Sequence, residues 1–127
     1  MTWNEAKELI TKNITAGINL NPALSSGRFV IDGPGYICKW KSFRGEPGDK
    51  VQTGNANYLE VPFIMLENIY RDALIHGNIY NKDIFCIHYP LLGDIASGQS
   101  NYIQIVGKIF ELSGIAVQIN SRNYKII

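Results

Sequence analysis

The stretch SNYIQIVGKIFELSG, residues 100–114, predicts the element around which the rest of the chain is organised. Its large apolar residues recur at steps of three and four, which is the spacing of one buried face of an amphipathic helix. Ser100 is placed to cap the N-terminus of this helix. Gly114 stands where helices commonly end with a residue of positive φ. The stretch therefore predicts a helix that buries one face and ends at Gly114.

A hairpin is predicted directly after this helix. Two short apolar runs, residues 115–119 and 124–127, are separated by the polar residues 120–123. Apolar runs of this length on either side of a polar turn predict two antiparallel strands. Because the turn contains Arg122, the predicted hairpin has a basic tip.

The first half of the chain predicts one helix and a small sheet. Thr2 and Glu5 have the spacing of a capping box, which predicts a helix from Trp3 to about Asn13. Residues 44–49 are rich in glycine, proline and charged side chains, and they predict a loop. Short runs typical of antiparallel strands lie at residues 28–32, 36–43, 50–53 and 58–61.

Two further helices are predicted between the sheet and the last helix. Pro62 is suited to the first position of a helix, where its missing N–H is not needed, and this helix ends at residues 76–77. Residues 78–80 predict a short strand. Asn81 predicts the N-cap of a second helix, which Pro90 terminates.

These elements predict an α+β fold in a single domain, residues 1–127. An N-terminal helix and small antiparallel sheet (residues 1–61) pack with a half made of three helices and a hairpin (residues 62–127). The apolar share of 46% and the charged share of 18% are typical of a soluble globular protein. No apolar run reaches the roughly 20 residues that span a bilayer, and the first residues lack the pattern of a signal peptide. We therefore expect a cytoplasmic protein with no membrane partner.

The order of elements in residues 62–127 resembles the winged helix-turn-helix superfamily. That order is helix, short strand, helix, helix, strand, turn, strand, and the resemblance rests on this layout over about half of the chain. The connector at residues 89–99 departs from the family, since it is longer than the usual turn of a few residues. The resemblance implies that the last helix enters the major groove of DNA and that the hairpin acts as a wing.

Five residues are the candidates for DNA contact under this resemblance. The outward positions of the last helix include Asn101, Gln104 and Lys108, whose side chains can bind base edges or phosphates. Arg122 at the hairpin tip and Lys125 beside it can reach the DNA backbone. Residues 100–127 carry three basic side chains against one acidic, on a chain whose net charge is only +1. This local surplus favours double-stranded DNA as the partner.

A second interpretation of the same residues remains open. Any amphipathic helix needs a polar face, so these side chains are also consistent with a simple solvated surface. The scaffold would then serve protein–protein interaction or dimerisation, with a second copy or another protein as the partner. The near-neutral net charge favours this alternative.

Catalytic and metal-binding patterns are absent from the sequence. It contains no nucleophile elbow, phosphate-binding loop or metalloprotease motif. Cys38, Cys86, His76 and His88 lack the paired spacing of a structural zinc site, so we expect reduced thiols, no metal and no cofactor. The sequence thus predicts a small non-catalytic DNA-binding protein, such as a regulator or an accessory module of a DNA-processing system.

Overall fold

The computed structural model of the protein describes the backbone of residues 1–14, 30–31, 38–40, 46–52, 58–90, 101–120 and 123–127. Side chains are described for residues 1–14, 61–90, 102–120 and 123–127. Within these residues, separate groups of helices and antiparallel strands form an α+β fold, which confirms the predicted fold class.

The elements follow in two blocks along the chain. The first block contains helix α1 (Trp3–Asn13) and strands β1 (Val30–Ile31), β2 (Cys38–Trp40), β3 (Glu46–Gln52) and β4 (Tyr58–Pro62). The second block contains α2 (Phe63–Ile75), β5 (Ile79–Tyr80), α3 (Lys82–His88), α4 (Asn101–Leu112), β6 (Ala116–Gln118) and β7 (Tyr124–Ile126). The order predicted for residues 62–127 is the order observed.

Helix α1 begins with the predicted capping box. The backbone N–H of Glu5 donates to Thr2 Oγ1 at 3.2 Å, and the backbone N–H of Thr2 donates to Glu5 Oε1 at 3.0 Å. The hydrogen bond from the Thr2 backbone N–H lowers the pKa of the Glu5 carboxyl most, and the Thr2 side chain lowers it further, because both favour the charged form. The buried face of the helix carries Ala6 and Ile10, which join the core that includes α2 and α4.

The first sheet is centred on β3, which pairs antiparallel with β1, β2 and β4. The pairing of β3 with β4 confirms the predicted hairpin of residues 50–53 and 58–61. The predicted loop at residues 44–49 is wrong for its second half, because residues 46–49 belong to β3. Gly48 pairs with Cys38 on one side and with Pro62 on the other. These long-range pairings supply backbone partners that local composition does not predict.

Helix α2 starts one residue later than its sequence predicts. Pro62 is the N-cap, with φ −69° and ψ 150°, because it is still paired to Gly48 as the last residue of β4. At the other end, Gly77 and Asn78 both have positive φ, 80° and 60°, and the N–H of Asn78 donates to the carbonyl of Ala73 at 2.8 Å. This turn leads into β5 as predicted.

The second sheet has the strand order β5-β7-β6, with β7 in the centre and both pairings antiparallel. Tyr80 pairs with Tyr124, and their rings lie 5.9 Å apart. The hydroxyl of Tyr80 donates to the backbone carbonyl of Ile103 at 2.6 Å, which joins the sheet to α4. The inner face of this sheet therefore packs against α4.

One continuous core joins the helices and the second sheet. Its largest fully buried side chains are aromatic or long aliphatic ones: Tyr70, Tyr80, Tyr102, Phe85, Phe110, Ile10, Met65, Leu66 and Ile69. Tyr70 and Tyr80 both contact the edge of Phe110, at ring separations of 6.1 and 5.8 Å. No helix in the described part of the chain has the length and apolar character that crossing a bilayer requires.

Candidate nucleic-acid interface

Helix α4 is buried around most of its circumference. Its described side chains include six that are buried: Tyr102, Ile105, Val106, Gly107, Ile109 and Phe110. Gln104 and Leu112 are exposed, while Lys108 and Glu111 are half-buried. The predicted outward positions Gln104 and Lys108 therefore do lie along the accessible stripe, together with Glu111, but that stripe is narrow.

Gly107 does not lie on the outward face of α4 but is buried against β7. A Cβ atom built at this position would lie 2.6 Å from Cζ of Tyr124, inside van der Waals contact. The helix backbone therefore approaches β7 as closely as the tyrosine ring allows. This close approach is what brings the accessible stripe of α4 beside the hairpin.

The ammonium group of Lys108 is engaged within the protein. It lies 2.9 Å from Glu111 Oε1 and 2.8 Å from Gln118 Oε1, and it stands 5.7 Å from the centre of the Tyr124 ring. The side chain of Lys108 is only 16% exposed. Burial, and secondarily the charge of Glu111, raises the pKa of Tyr124 to about 12. Lys108 thus connects α4 to β6, and its charge is largely balanced by Glu111.

Lys125 lies on the opposite side of the second sheet from α4. Its neighbours along β7, Tyr124 and Ile126, are buried on the inner face, whereas Lys125 is exposed. Successive side chains of a strand point to opposite faces, so Lys125 projects from the outer face. It is flanked in register by Ile79 and Val117. The structure therefore does not bring Lys125 together with Gln104 and Lys108.

The tip of the hairpin is held by a chain of asparagine amides. Asn120 Oδ1 accepts hydrogen bonds from the backbone N–H and Nδ2 of Asn123, both at 3.0 Å. Asn123 Oδ1 accepts from Asn81 Nδ2 at 3.0 Å, and Asn81 Oδ1 caps α3 by accepting from the backbone N–H of Ile84 at 3.1 Å. The predicted capping role of Asn81 is confirmed, while its link to the hairpin was not predicted.

The tip and the N-terminal half of α4 lie at the same end of the sheet. Tyr80 contacts the carbonyl of Ile103, and the next residue, Asn81, contacts Asn123. Gln104 is exposed in this region. The side chain of Asn101, in the first turn of α4, and all of Arg122 lie outside the described residues. Of the five predicted residues, the structure thus describes Gln104 as accessible, one residue beyond Ile103, whose carbonyl accepts from Tyr80.

A second polar cluster joins α2 to α3 and was missed by sequence reasoning. Asp72 Oδ2 lies 2.5 Å from Nδ1 of His88, and Asn68 Nδ2 donates to the hydroxyl of Tyr89 at 3.1 Å. His76 Nδ1 donates to the carbonyl of Asp72 at 2.7 Å, at the C-terminal end of α2. The contact between Asp72 and His88 is possible because α3 ends at His88 after only seven residues. The end of α3 in turn depends on Pro90, which cannot continue the helix.

The described residues offer no metal site. No group of three or more His, Cys, Asp or Glu side chains among them lies close enough to hold an ion. Cys86 is a free, half-buried thiol in this part of the chain, and the side chain of Cys38 lies outside it. A comparison of the chain with protein-family models, with curated proteins and with solved structures finds no match.

Proposed function

We propose that the protein binds double-stranded DNA without catalysing a reaction, through the N-terminal half of α4 and the tip of the β6–β7 hairpin. The observation that carries the proposal is the second sheet's strand order β5-β7-β6, with α4 immediately before the hairpin. This arrangement resembles a winged helix-turn-helix, in which a helix enters the major groove and a hairpin flanks it. We further propose a cytoplasmic role as a regulator or an accessory module of a DNA-processing system.

Gln104 is the residue best placed to contact a base edge. It is exposed on α4, and a glutamine amide can form two hydrogen bonds with adenine in the major groove. Asn101 stands one turn earlier and offers the same chemistry. In the sequence Arg122 lies between Asn120 and Asn123, and its guanidinium is proposed to contact a phosphate.

Lys108 and Lys125 have smaller roles in this proposal than their charges suggest. Breaking the contacts of Lys108 with Glu111 and Gln118 to reach a phosphate would leave the Glu111 carboxylate without its cation. Lys125 projects from the sheet face opposite α4. The electrostatic attraction to DNA should therefore depend on Arg122 more than on either lysine.

Fluorescence anisotropy with mixed-sequence duplexes at about 50 mM salt tests the proposal, because weak phosphate contacts are least screened there. We expect Arg122→Glu to weaken binding to every sequence and to reduce the salt dependence. Gln104→Ala should instead reduce the preference among sequences by about 1–3 kcal/mol while sparing non-specific affinity.

A matched control separates contact from net charge. Lys12→Glu makes the same charge reversal on an exposed residue of α1, far from the hairpin in the sequence, and it should leave affinity nearly unchanged. Lys108→Met keeps the aliphatic stem over Tyr124 and should also have a small effect on affinity. Equal weakening by Lys12→Glu and Arg122→Glu, or no binding of the wild type to any duplex, would refute the proposal.

A further inference from the structure

The outer face of the second sheet is apolar, and no described residue covers it. We define this outer face as Ile79, Val117, Ile119, Lys125 and Ile127. Val117 is 52% exposed, Ile119 54% and Ile127 67%. Val117, Lys125 and Ile79 form one rung across the three strands. Ile119 and Ile127 continue the alternation of their strands by one step, so they project to the same side.

This composition is unusual for a sheet with only one packed face. An antiparallel sheet that covers a core on one side normally places polar residues on the other. Here the inner face already carries Tyr80, Tyr124 and Ile126, which are buried against α4. Apolar residues on both faces of the same strands are typical of a sheet that is buried on both faces. The outer face therefore has the character of a docking surface.

Lys125 gives this surface a positive centre. It lies on the central strand, and its register partners Ile79 and Val117 are apolar. Among the described residues it has no ion pair, and the carboxylate of Glu111, on the other side of the sheet, is paired with Lys108. A cation surrounded by aliphatic side chains favours a partner that brings a carboxylate within its own apolar surface.

Addition of a strand to the free edge of β6 is obstructed. The backbone N–H of Ile119 donates to the carbonyl of Asn123, so the N–H of Gln118 points away from β7, toward the free edge. That N–H donates to Glu111 Oε2 at 3.3 Å. The edge is thus occupied at its middle by a side chain, which is one way in which proteins prevent strand addition. A partner must pack on the face instead.

The size of the outer face matches that of a single helix as the docking partner. Three strands spaced about 4.8 Å apart and about three residues long form a patch of roughly 14 by 10 Å. A helix about 10–12 Å in diameter matches that width. A stable dimer buries about 800 Å² on each partner, far more than this patch. A twofold contact centred on the patch would also place Lys125 close to its own copy, which is unfavourable.

We propose that the outer face binds one amphipathic helix of a partner protein, whose apolar stripe contains a Glu or Asp that pairs with Lys125. Aliphatic residues on either side of that carboxylate would pack on Val117, Ile119 and Ile127. Lys125 is thereby assigned to protein contact rather than to DNA. The docked helix would make β5–β7 the middle layer of a helix–sheet–helix arrangement, on the side opposite the proposed DNA interface.

Binding of designed peptides to the isotope-labelled full chain tests this proposal by NMR. The probe is a helical peptide of about 18 residues, long enough to fold alone, with a leucine stripe interrupted by one Glu. A second peptide carries Lys at that position. We expect the acidic peptide to shift the amide signals of residues 116–119 and 124–127, and to bind at least about tenfold tighter than the basic one.

Variants of the outer face make the test specific. Lys125→Glu should reverse the preference between the two peptides, and Val117→Asp should abolish binding of both. Ile75→Asp is the matched control, because Ile75 is 76% exposed on α2 and lies outside the outer face. It should bind like the wild type. Thermal unfolding of each variant establishes that these surface changes leave the fold intact.

Four results would overturn the proposal. The first is equal affinity for the two peptides, or no saturable binding of either. The second is an unchanged preference in Lys125→Glu. The third is a dimer in sedimentation analysis that Val117→Asp dissociates, which would make a second copy the occupant. The fourth is loss of duplex DNA binding in Val117→Asp, which would assign the face to nucleic acid.

Discussion

The ring of Tyr124 occupies the space in which a side chain of residue 107 would stand. Gly107 is fully enclosed by α4 and β7, and any Cβ there would meet the ring atoms Cε1 and Cζ. The glycine therefore has a packing role rather than a conformational one, since its φ is not positive. It fixes how closely α4 approaches the central strand of the second sheet.

We predict that Gly107→Ala destabilises the protein even though alanine favours helices. The gain in helix propensity is about 1 kcal/mol, whereas forcing an extra carbon into a packed site typically costs about 1–3 kcal/mol. The net loss should be about 1 kcal/mol and visible as a lower urea midpoint. In a Tyr124→Leu background the loss should shrink, because the obstructing ring is gone. A Gly107→Ala variant as stable as the wild type would contradict this packing.

Substitution of Gly114 should also destabilise the protein, but through backbone conformation rather than through packing. Its φ is 79°, and nothing lies within 4 Å of the Cβ position, so only the backbone conformation opposes a side chain. Gly114→Val should lower stability by about 1–2 kcal/mol, which is the cost of a left-handed residue with a side chain. Gly114→Asn should cost less, since asparagine tolerates this region better. If the wild type, Gly114→Val and Gly114→Asn share one urea midpoint, the helix does not end there.

Two substitutions of Asn81 should separate its two hydrogen bonds. Alanine in place of an asparagine N-cap typically loses helix stability, so Asn81→Ala should cost about 1 kcal/mol. Asn81→Asp retains the acceptor for the N–H of Ile84 but loses the donor to Asn123. We expect Asn81→Asp to keep near-normal stability while hydrogen exchange at residues 119–124 becomes faster. Unchanged exchange in that variant would mean that the amide link does not hold the hairpin.

Alkaline pH should destabilise the fold through its buried tyrosines. The pKa of Tyr124 is raised to about 12 by burial, and burial also raises the pKa of Tyr80 well above its usual range. The folded state thus holds the phenol protons more tightly than the unfolded chain, in which tyrosine has a pKa of about 10. The stabilisation is complete below pH 10 and is lost as the pH rises toward 12.

Urea midpoints measured across this pH window test the prediction. They should fall as the pH rises above about 10, the ordinary pKa of tyrosine, and the fall should be smaller in Tyr124→Phe. The difference between the urea midpoints of wild type and Tyr124→Phe at a pH of about 8, well below that pKa, serves as the reference. Parallel pH curves for Tyr124→Phe and wild type would show that Tyr124 does not contribute.

Local signals in the sequence predict the helix ends well. The Thr2–Glu5 box, the Asn81 cap and Gly114 each concern groups within a few residues of one another, and each is found. The apolar spacing of α4 also predicts which side is accessible. These features follow from the chain's own hydrogen-bonding and conformational preferences, without reference to distant segments.

Long-range contacts account for what the sequence does not predict. Residues 46–49 form a strand because they pair with residues 38–40 on one side and 61–62 on the other, and composition within residues 44–49 does not show these partners. Lys108 resembles a free surface cation until the fold brings Gln118 within 2.8 Å of it. Lys125 is separated from α4 by the sheet itself. Charge counts along a segment therefore overstate how much positive charge faces one partner.

The tether of the hairpin tip has one more consequence. Asn120, Asn123 and Asn81 are all neutral amides, so the hydrogen bonds that join their side chains neither gain nor lose charge between acid and alkaline conditions. Dissolved salt ions therefore have no charged group to bind among these three side chains. The hydrogen bonds among Asn81, Asn120 and Asn123 should therefore persist across the pH and salt range in which the protein stays folded.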